Sequence, residues 1–292
     1  MILGTAIISG FSIFINKLAI SIANPYIFVF IKNFLVAIIL SLILLTLSNF
    51  KTLKLLKKRQ WVILLIIGLI GGGIPFILFF KGLSMTSAAG ASFIQKTMFI
   101  WIIIFAGTFL REKITRNQIF AGLILIGGNL MLLKLSDIHF DLGSGLVLLA
   151  TLFWAAENTL SKYTIKELSP MIVMWARMFF GSLFIMVFLA FNHQLVLLAD
   201  LNIQQIGWAS ITSVLLFGYV YTWYTGLQYI KVSEAAVVLM LGSPITTMLS
   251  AIFTRPAALR EYFAMVLIIV GVSVAIGLDK FGRKLKQIYV RN

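Results

Sequence analysis

The class of this protein is decided by two apolar stretches of its sequence, PYIFVFIKNFLVAIILSLILLTLS at residues 25–48 and PMIVMWARMFFGSLFIMVFLAF at residues 170–191. A helix needs about 20 mainly apolar residues to cross the hydrocarbon core of a bilayer, and each stretch meets that length. Both begin with proline, and both place a cation at the same position, Lys32 in the first and Arg177 in the second. The pair therefore predicts membrane-spanning helices and a duplicated segment.

Apolar runs of this length recur along the whole chain. They cover residues 2–22, 26–48, 61–81, 88–109, 117–134, 144–164, 171–191, 205–229, 235–254 and 262–278. Of all residues, 61% are apolar and 11% are charged, and the mean hydropathy is +1.04, which excludes a water-soluble fold. The first run has neither a basic leader nor a small-residue cleavage site, so we expect a retained helix. We predict an all-α membrane protein with ten transmembrane helices.

Internal similarity divides the chain into two halves. A shift of 145 residues superimposes Lys17 on Lys162, Pro25 on Pro170, Lys32 on Arg177 and Phe34 on Phe179. Each half then holds five spans, and because five is odd the second half enters the membrane from the opposite side. We predict two inverted five-helix repeats, residues 1–140 and 141–292, within one integral membrane domain. Such repeats favour transport by alternating access.

The placement of basic residues predicts the orientation. With the N-terminus inside, the inner loops and the C-terminal tail hold sixteen of the 24 lysines and arginines. These are Lys51, Lys54, Lys57, Lys58, Arg59, Arg111, Lys113, Arg116, Lys162, Lys166, Lys231, Lys280, Arg283, Lys284, Lys286 and Arg291. The outer loops and outer helix ends hold only Lys81, Lys134, Arg255 and Arg260. Because cytoplasmic loops are enriched in lysine and arginine, we expect a multi-pass protein of the plasma (inner) membrane with both termini in the cytoplasm.

Charged side chains inside the apolar runs are the first candidates for a solute site, because a charge is costly to place in a bilayer. Lys96 lies near the middle of the fourth run, and Glu157 lies near the middle of the sixth. Arg177 lies about two helical turns into the seventh run. We expect all three to line a central cavity and meet a charged group of the solute. The alternatives are an internal Lys96–Glu157 pair, and Lys32 and Arg177 side chains that snorkel to lipid headgroups.

Aromatic and amide side chains add to these candidates. Trp154 and Asn158 share a helical face with Glu157. Tyr221 and Trp223, in the eighth run, lie too deep for the usual interfacial belt of aromatic residues. A buried phenol or indole takes a hydrogen-bond partner, which either a solute or a neighbouring helix can supply. We therefore expect these four residues to contribute to substrate binding, with helix–helix contact as the alternative.

Several short motifs resemble those of a known transporter family. They are Ser87-Ala88-Ala89-Gly90-Ala91, Leu110-Arg111-Glu112-Lys113, Gly122 with Gly127-Gly128, Phe153-Trp154 with Lys162, Pro170 with Arg177, and Ser233-Glu234-Ala235-Ala236 before Pro244. In order and duplication they resemble the EamA-type permease branch of the drug/metabolite transporter superfamily, over essentially the whole chain. The two copies differ where the first has Lys96-Thr97-Met98 and the second has Gly242-Ser243-Pro244. The resemblance implies a carrier of amino acids or related metabolites, often for export.

We therefore predict a secondary transporter of a small organic solute that works by alternating access. If Lys96 and Glu157 pair in the empty site, a zwitterionic solute can replace each partner, so an amino acid fits. The alternatives are an intramembrane lipid-modifying enzyme, and a channel or structural subunit. We do not expect an enzyme, because the acids are scattered and both histidines, His139 and His193, lie between the apolar runs.

The expected partners are the solute and membrane lipids. We expect no nucleic acid, because membrane topology accounts for the net charge of +15. The chain has no cysteine, which excludes thiolate–metal sites, and we expect neither a metal nor a cofactor. Coupling to protons and a homodimer stay open. Glu112, beside Arg111 and Lys113, is expected to serve structure by pairing or capping.

Overall fold

The computed structural model describes residues 1–20, 24–46, 50–86, 88–132, 141–253 and 256–289. Within these ranges the regular structure is entirely helical, which confirms the all-α class. The helices are α1 Ile2–Ile20, α2 Pro25–Thr46, α3 Phe50–Lys54, α4 Lys58–Ile67, α5 Ile74–Leu83, α6 Ala88–Lys96, α7 Met98–Phe109, α8 Arg116–Leu132, α9 Leu142–Thr164, α10 Pro170–Phe191, α11 Ile203–Leu227, α12 Val232–Leu239, α13 Gly242–Phe253 and α14 Leu259–Tyr289. The predicted repeat boundary at residue 140 lies outside the described residues, as do Ser87, Lys134, His139 and Arg255.

Helix occupies each of the ten apolar runs. Seven spans in the described part of the chain are long and apolar enough to cross a membrane: Pro25–Thr46, Lys58–Leu83, Gly90–Phe109, Pro170–Phe191, Ile203–Leu227, Val232–Phe253 and Leu259–Gly277. Of the others, α1 contributes a shorter apolar segment, Ile2–Asn16, and α8 has 17 residues. Helix α9 has polar side chains along its length, many of which are buried inside the protein. The chain is therefore a multi-pass membrane protein.

Polar caps move several helix starts away from the predicted boundaries. Helix α11 begins two residues before the predicted position 205, because Asn202 Oδ1 accepts a hydrogen bond from the Gln205 N–H at 2.8 Å, and Gln205 Oε1 accepts from the Asn202 N–H at 3.1 Å. Helix α9 begins after Asp141, whose Oδ1 accepts from the Ser144 N–H at 2.7 Å. That bond lowers the pKa of the Asp141 carboxyl group. Counting apolar residues misses these starts because the capping residues are polar.

Within the described residues, three of the apolar runs are interrupted. The third contains a π-helical segment, Gly68–Gly73, between α4 and α5. The fourth breaks at Thr97, between α6 and α7, and the ninth breaks at Met240–Leu241, between α12 and α13. The 145-residue shift places Thr97 on Gly242, so under this shift the breaks in the fourth and ninth runs lie within two residues of each other. Interruptions of this kind leave backbone groups without helical partners and point to a binding site.

Packing between spans links the two halves throughout. Helix α2 packs against α10, α8 against α14, α5 against α9, and α1 against α11 and α13. The π-helical segment approaches α10 backbone to backbone. A Cβ atom on Gly72 would lie 2.1 Å from the Arg177 carbonyl oxygen, so only glycine allows this approach. The third and seventh spans are thereby held close together beside the second.

Candidate solute cavity and a buried ionic network

A cavity of about 130 Å3 lies between the two broken spans. Its lining comes from α1, α6, α8 and α13 and consists of Ile13, Ser92, Phe93, Lys96, Asn129, Leu132, Ser243, Thr246 and Thr247. Residues from both halves therefore enclose the space. Four of these nine residues carry a hydroxyl group, and none of the nine is acidic.

Lys96 is the one charged side chain among the nine described lining residues. It is the last residue of α6 and is partly exposed. In the described part of the chain, no hydrogen bond or ion pair is formed by its ammonium group. The C-terminal end of a helix carries a partial negative charge, which favours an ammonium group there. The cavity thus holds one positive charge that has no ionic partner among the described residues.

Ser243 adds a second group with unused hydrogen-bonding capacity. Its side chain is 5% exposed, and its Oγ has no hydrogen-bond partner among the described residues. By contrast, Thr246 Oγ1 donates to the Gly10 carbonyl oxygen at 2.9 Å, and Asn129 Nδ2 donates to the Leu125 carbonyl oxygen at 2.8 Å. Because buried hydroxyl groups nearly always have a partner, Ser243 is the lining residue best placed to bind a ligand. From sequence, Ser243 belongs to a polar stripe with Thr246, Thr247 and Ser250 in the ninth run, which fits helix packing as well as a solute site. Asn129 carries no signal beyond a polar residue in an apolar run.

Glu157 and Arg177 form an ion pair away from this cavity. Glu157 Oε2 lies 3.5 Å from Arg177 Nε, and the two residues are 1% and 7% exposed. Glu157 Oε1 accepts hydrogen bonds from Ser161 Oγ at 2.6 Å and from the Tyr224 hydroxyl. The pair fits because Gly71, in the π-helical segment, has no side chain. A Cβ atom there would lie 2.4 Å from Glu157 Cγ. Glu157 therefore pairs with Arg177, and the alternative of a Lys96–Glu157 pair is wrong.

Three further candidates form a chain of buried hydrogen bonds. Trp223 Nε1 donates to Asn158 Oδ1 at 2.7 Å, and Asn158 Nδ2 donates to the Trp154 carbonyl oxygen at 2.7 Å. Trp154 Nε1 donates to the Gly71 carbonyl oxygen at 3.1 Å, which the π-helical segment makes available. None of these three side chains is among those that line the cavity. The structure brings Trp154, Glu157, Asn158, Arg177 and Trp223 together as one network, which joins α9, α10 and α11 to the third span.

Two other residues lie apart from both the cavity and this network. Tyr221 is 40% exposed and stacks on Phe217, with ring centroids 6.0 Å apart. Lys32 is only 6% exposed, and its Nζ donates to Asn16 Oδ1 at 3.0 Å. Lys32 and Arg177 are both buried inside the protein, so the alternative of snorkelling to headgroups is wrong. Such burial was not evident from sequence because it depends on which helices pack together.

Glu112 accepts hydrogen bonds from the start of α12, beside the break between α11 and α12. Its Oε1 accepts from the Val232 N–H at 3.1 Å, and its Oε2 accepts from the Ser233 N–H at 3.3 Å and from Ser233 Oγ at 2.5 Å. On the other side of the turn, Lys162 Nζ donates to the carbonyl oxygens of Leu227 and Ile230. We call these contacts the clasp. Glu112 belongs to the first half, so the clasp ties that half to the N-terminus of α12, and capping is one of the structural roles expected of Glu112.

Helices that span a membrane many times and enclose a charged cavity at broken spans are typical of membrane transporters. Sequence comparison supports this class of protein and identifies the family. The EamA-like transporter family matches this chain twice, at residues 1–134 and at residues 141–277. The chain belongs to this family, which points to a transporter rather than an enzyme.

Individual relatives agree with this family. The chain is 25% identical over 289 residues to the uncharacterized transporter YyaM of Bacillus subtilis (strain 168), which covers 95% of this chain and 93% of that protein. It is 26% identical over 234 residues to an uncharacterized transporter of Methanothermobacter thermautotrophicus, which covers 76% of this chain and 65% of that protein. A crystal structure superimposes with a TM-score of 0.77 over 95% of this chain and 96% of that one. At 15% identity, that likeness shows a shared fold alone.

Proposed function

We propose that this transporter is a secondary carrier that moves a small organic solute, an amino acid or a related metabolite, across the plasma membrane by alternating access. The cavity around Lys96 holds the solute. One observation carries the proposal. The cavity lies where two spans break within two residues of each other under the 145-residue shift, and residues of both halves line it. Solute sites of carriers are expected at such paired breaks.

The proposal includes ten spans arranged as two inverted five-helix repeats, within residues 1–140 and 141–292. Three observations support it. The family matches once in each half. Repeat mates pack against each other, α2 with α10 and α8 with α14. The contact of α5 with α9 has its counterpart in the contact of α11 with α1. A pseudo-twofold axis in the membrane plane would exchange these partners.

The proposed orientation tells which side of the membrane the cavity faces. With both termini in the cytoplasm, α6 and α13 are the outer parts of the fourth and ninth spans, and they line the cavity. The inner parts, α7 and α12, pack against each other, and the clasp closes the same end. This arrangement suits an outward-facing carrier. Alternating access then requires the inner contacts to open while α6 and α13 approach each other.

The transport proposal is tested with purified protein in proteoliposomes. We expect uptake of a radiolabelled solute that saturates and that accelerates when unlabelled solute is loaded inside. The solutes to test first are L-alanine, L-aspartate, L-lactate and L-malate. Lys96→Met should abolish this counterflow, while Lys81→Met, which removes an exposed lysine at the end of α5, should leave it unchanged. Flux that rises linearly with concentration and shows no counterflow would identify a channel.

The orientation is tested separately by cysteine labelling. The chain has no cysteine, so single substitutions at two exposed positions can be read without background. In intact cells, an impermeant maleimide should label the Asn192→Cys variant and should label the Thr52→Cys variant only after permeabilisation. Labelling of the Thr52→Cys variant in intact cells would reverse the proposed orientation.

A further inference from the structure

We propose that the cavity recognises its solute through a carboxylate group, held by the Lys96 ammonium group and the Ser243 hydroxyl group at the N-terminus of α13. This inference rests on the proposed function, because it names the chemical class of the solute that the same cavity carries. It commits to a small carboxylic acid, and not to a cation, a sugar or a phosphate ester.

The described lining of the cavity carries a net positive charge. Lys96 brings one positive charge to membrane depth, and none of the nine described lining residues is acidic. The acid that sequence analysis paired with it, Glu157, is already bound to Arg177, Ser161 and Tyr224. A charge at this depth is costly unless it is paired or hydrated. A ligand that supplies one negative charge therefore completes the site.

Hydrogen-bond donors also reach the cavity from α13, on the other broken span. Ser243 is the second residue of α13, and its Oγ is buried without a described partner. The start of a helix carries a partial positive charge and backbone N–H groups that favour an anion. Lys96 and Ser243 thus reach one cavity from two different spans, and both are donors. Two donors on separate helices suit the two oxygens of one carboxylate, and binding would draw α6 and α13 together as alternating access requires.

The described lining of the cavity contains no carboxylate. A solute ammonium group would find hydroxyl and amide oxygens in the described lining, but no carboxylate partner. A phosphate ester carries nearly two negative charges at neutral pH, and a single lysine leaves one of them unmatched. We therefore expect 2-hydroxy acids to bind at least as tightly as the amino acids with the same carbon skeleton. This differs from the zwitterionic solute expected from sequence, which needed Glu157 in the same site.

The inference is tested by ligand binding to the purified full-length protein, measured as a shift in Tm. Two matched series are used: L-lactate, L-alanine and L-lactamide, and L-malate, L-aspartate and L-malamide. The cavity of about 130 Å3 has room for several water molecules and so for an acid of three or four carbons. We expect lactate to raise Tm in a saturable manner, at least as well as alanine does, and we expect the amides to have no effect. Malate carries two negative charges, one of which a single lysine leaves unmatched, so we expect its shift in Tm to be smaller than that of lactate.

Substitutions locate the binding site. Lys96→Met should weaken the apparent affinity for the acid by about tenfold or more, and Ser243→Ala should weaken it by about two- to tenfold, the value of one hydrogen bond. The controls are Lys81→Met and Ser210→Ala, both exposed residues outside the cavity, and neither should change the affinity. If Lys96→Met does not fold, Lys96→Arg should keep the preference for acids over amides, and Ser243→Ala still reports on the site.

Several results would overturn the inference. They are equal binding of acids and amides, no binding of any of the four acids, or wild-type affinity in both Ser243→Ala and the Lys96 variant. Failure of the proposed function looks different. In that case the acids bind through Lys96 but show no counterflow in proteoliposomes. Counterflow that depends on Lys96 but selects a cation or a neutral solute would keep the proposed function and reject the carboxylate.

Discussion

The cavity around Lys96 and the Glu157–Arg177 network differ in whether a charged side chain at membrane depth has an opposite charge beside it. In the network, Glu157 has an opposite charge at 3.5 Å and two hydroxyl donors, and both charged residues are buried. In the cavity, Lys96 has no partner within the described residues and remains partly exposed. Opposite charges within ion-pair distance can hold helices together, whereas a charge beside a cavity with no described partner is available to a ligand. Substitutions should therefore affect stability in the network and binding in the cavity.

The largest effect on stability is expected for Arg177→Met. The substitution leaves the Glu157 carboxylate buried without its opposite charge, and breaking a buried pair in this way costs about 3–5 kcal/mol. Folded yield in size-exclusion chromatography and Tm should both fall sharply. The double variant Arg177→Met, Glu157→Gln should recover most of the loss, because neither charge is then left alone. A stable Arg177→Met protein would mean that the pair does not hold these helices together.

Glu112→Gln tests a second carboxylate that already accepts hydrogen bonds, the one in the clasp. The amide keeps a single acceptor oxygen and loses the charge that three donors from Val232 and Ser233 share. Hydrogen bonds to a charged group contribute about 1.5–3 kcal/mol, so folded yield should fall while the surviving protein binds acids normally. Glu167→Gln, at an exposed position, is the control and should change neither. Normal yield with lost transport would place Glu112 in the transport mechanism.

A smaller effect is expected for Trp223→Phe, which sharpens the boundary of the network. The phenyl ring cannot donate to Asn158 Oδ1, a hydrogen bond of 2.7 Å, and the expected loss is about 1 kcal/mol. Tm should fall modestly, and the affinity for acids should stay the same. Tyr221→Phe, on an exposed ring, should change neither property. Unchanged Tm with lost affinity would show that Trp223 contacts the solute in another conformation.

Most of the fold could be predicted from sequence, because membrane helices depend on the length and composition of single segments. The ten apolar runs and the equivalence of Lys32 and Arg177 needed no tertiary information. The partners of the charged residues could not be predicted in this way. Glu157 meets Arg177 because a π-helical segment brings Gly71 against both side chains, and no periodicity in the sequence indicates that contact. The same limitation applies to Ser243, because its position beside Lys96 depends on two broken helices that face one cavity.

The smallest effect on stability, and the sharpest test of the comparison, is expected for Lys96→Met. This side chain forms no described hydrogen bond or ion pair, so its removal breaks no described contact and relieves the cost of a charge at membrane depth. The free energy of unfolding without ligand should stay within about 0.5 kcal/mol of the wild-type value or rise, as for substitutions that disturb no special contact, so Tm should be nearly unchanged or higher. Counterflow and the ligand-induced shift in Tm should both be lost. Arg177→Met has the same charge change and the same new side chain, so it is the matched control. If Lys96→Met lowers Tm as much as Arg177→Met does, Lys96 is also engaged in a structural pair, and the two regions do not differ in the way proposed.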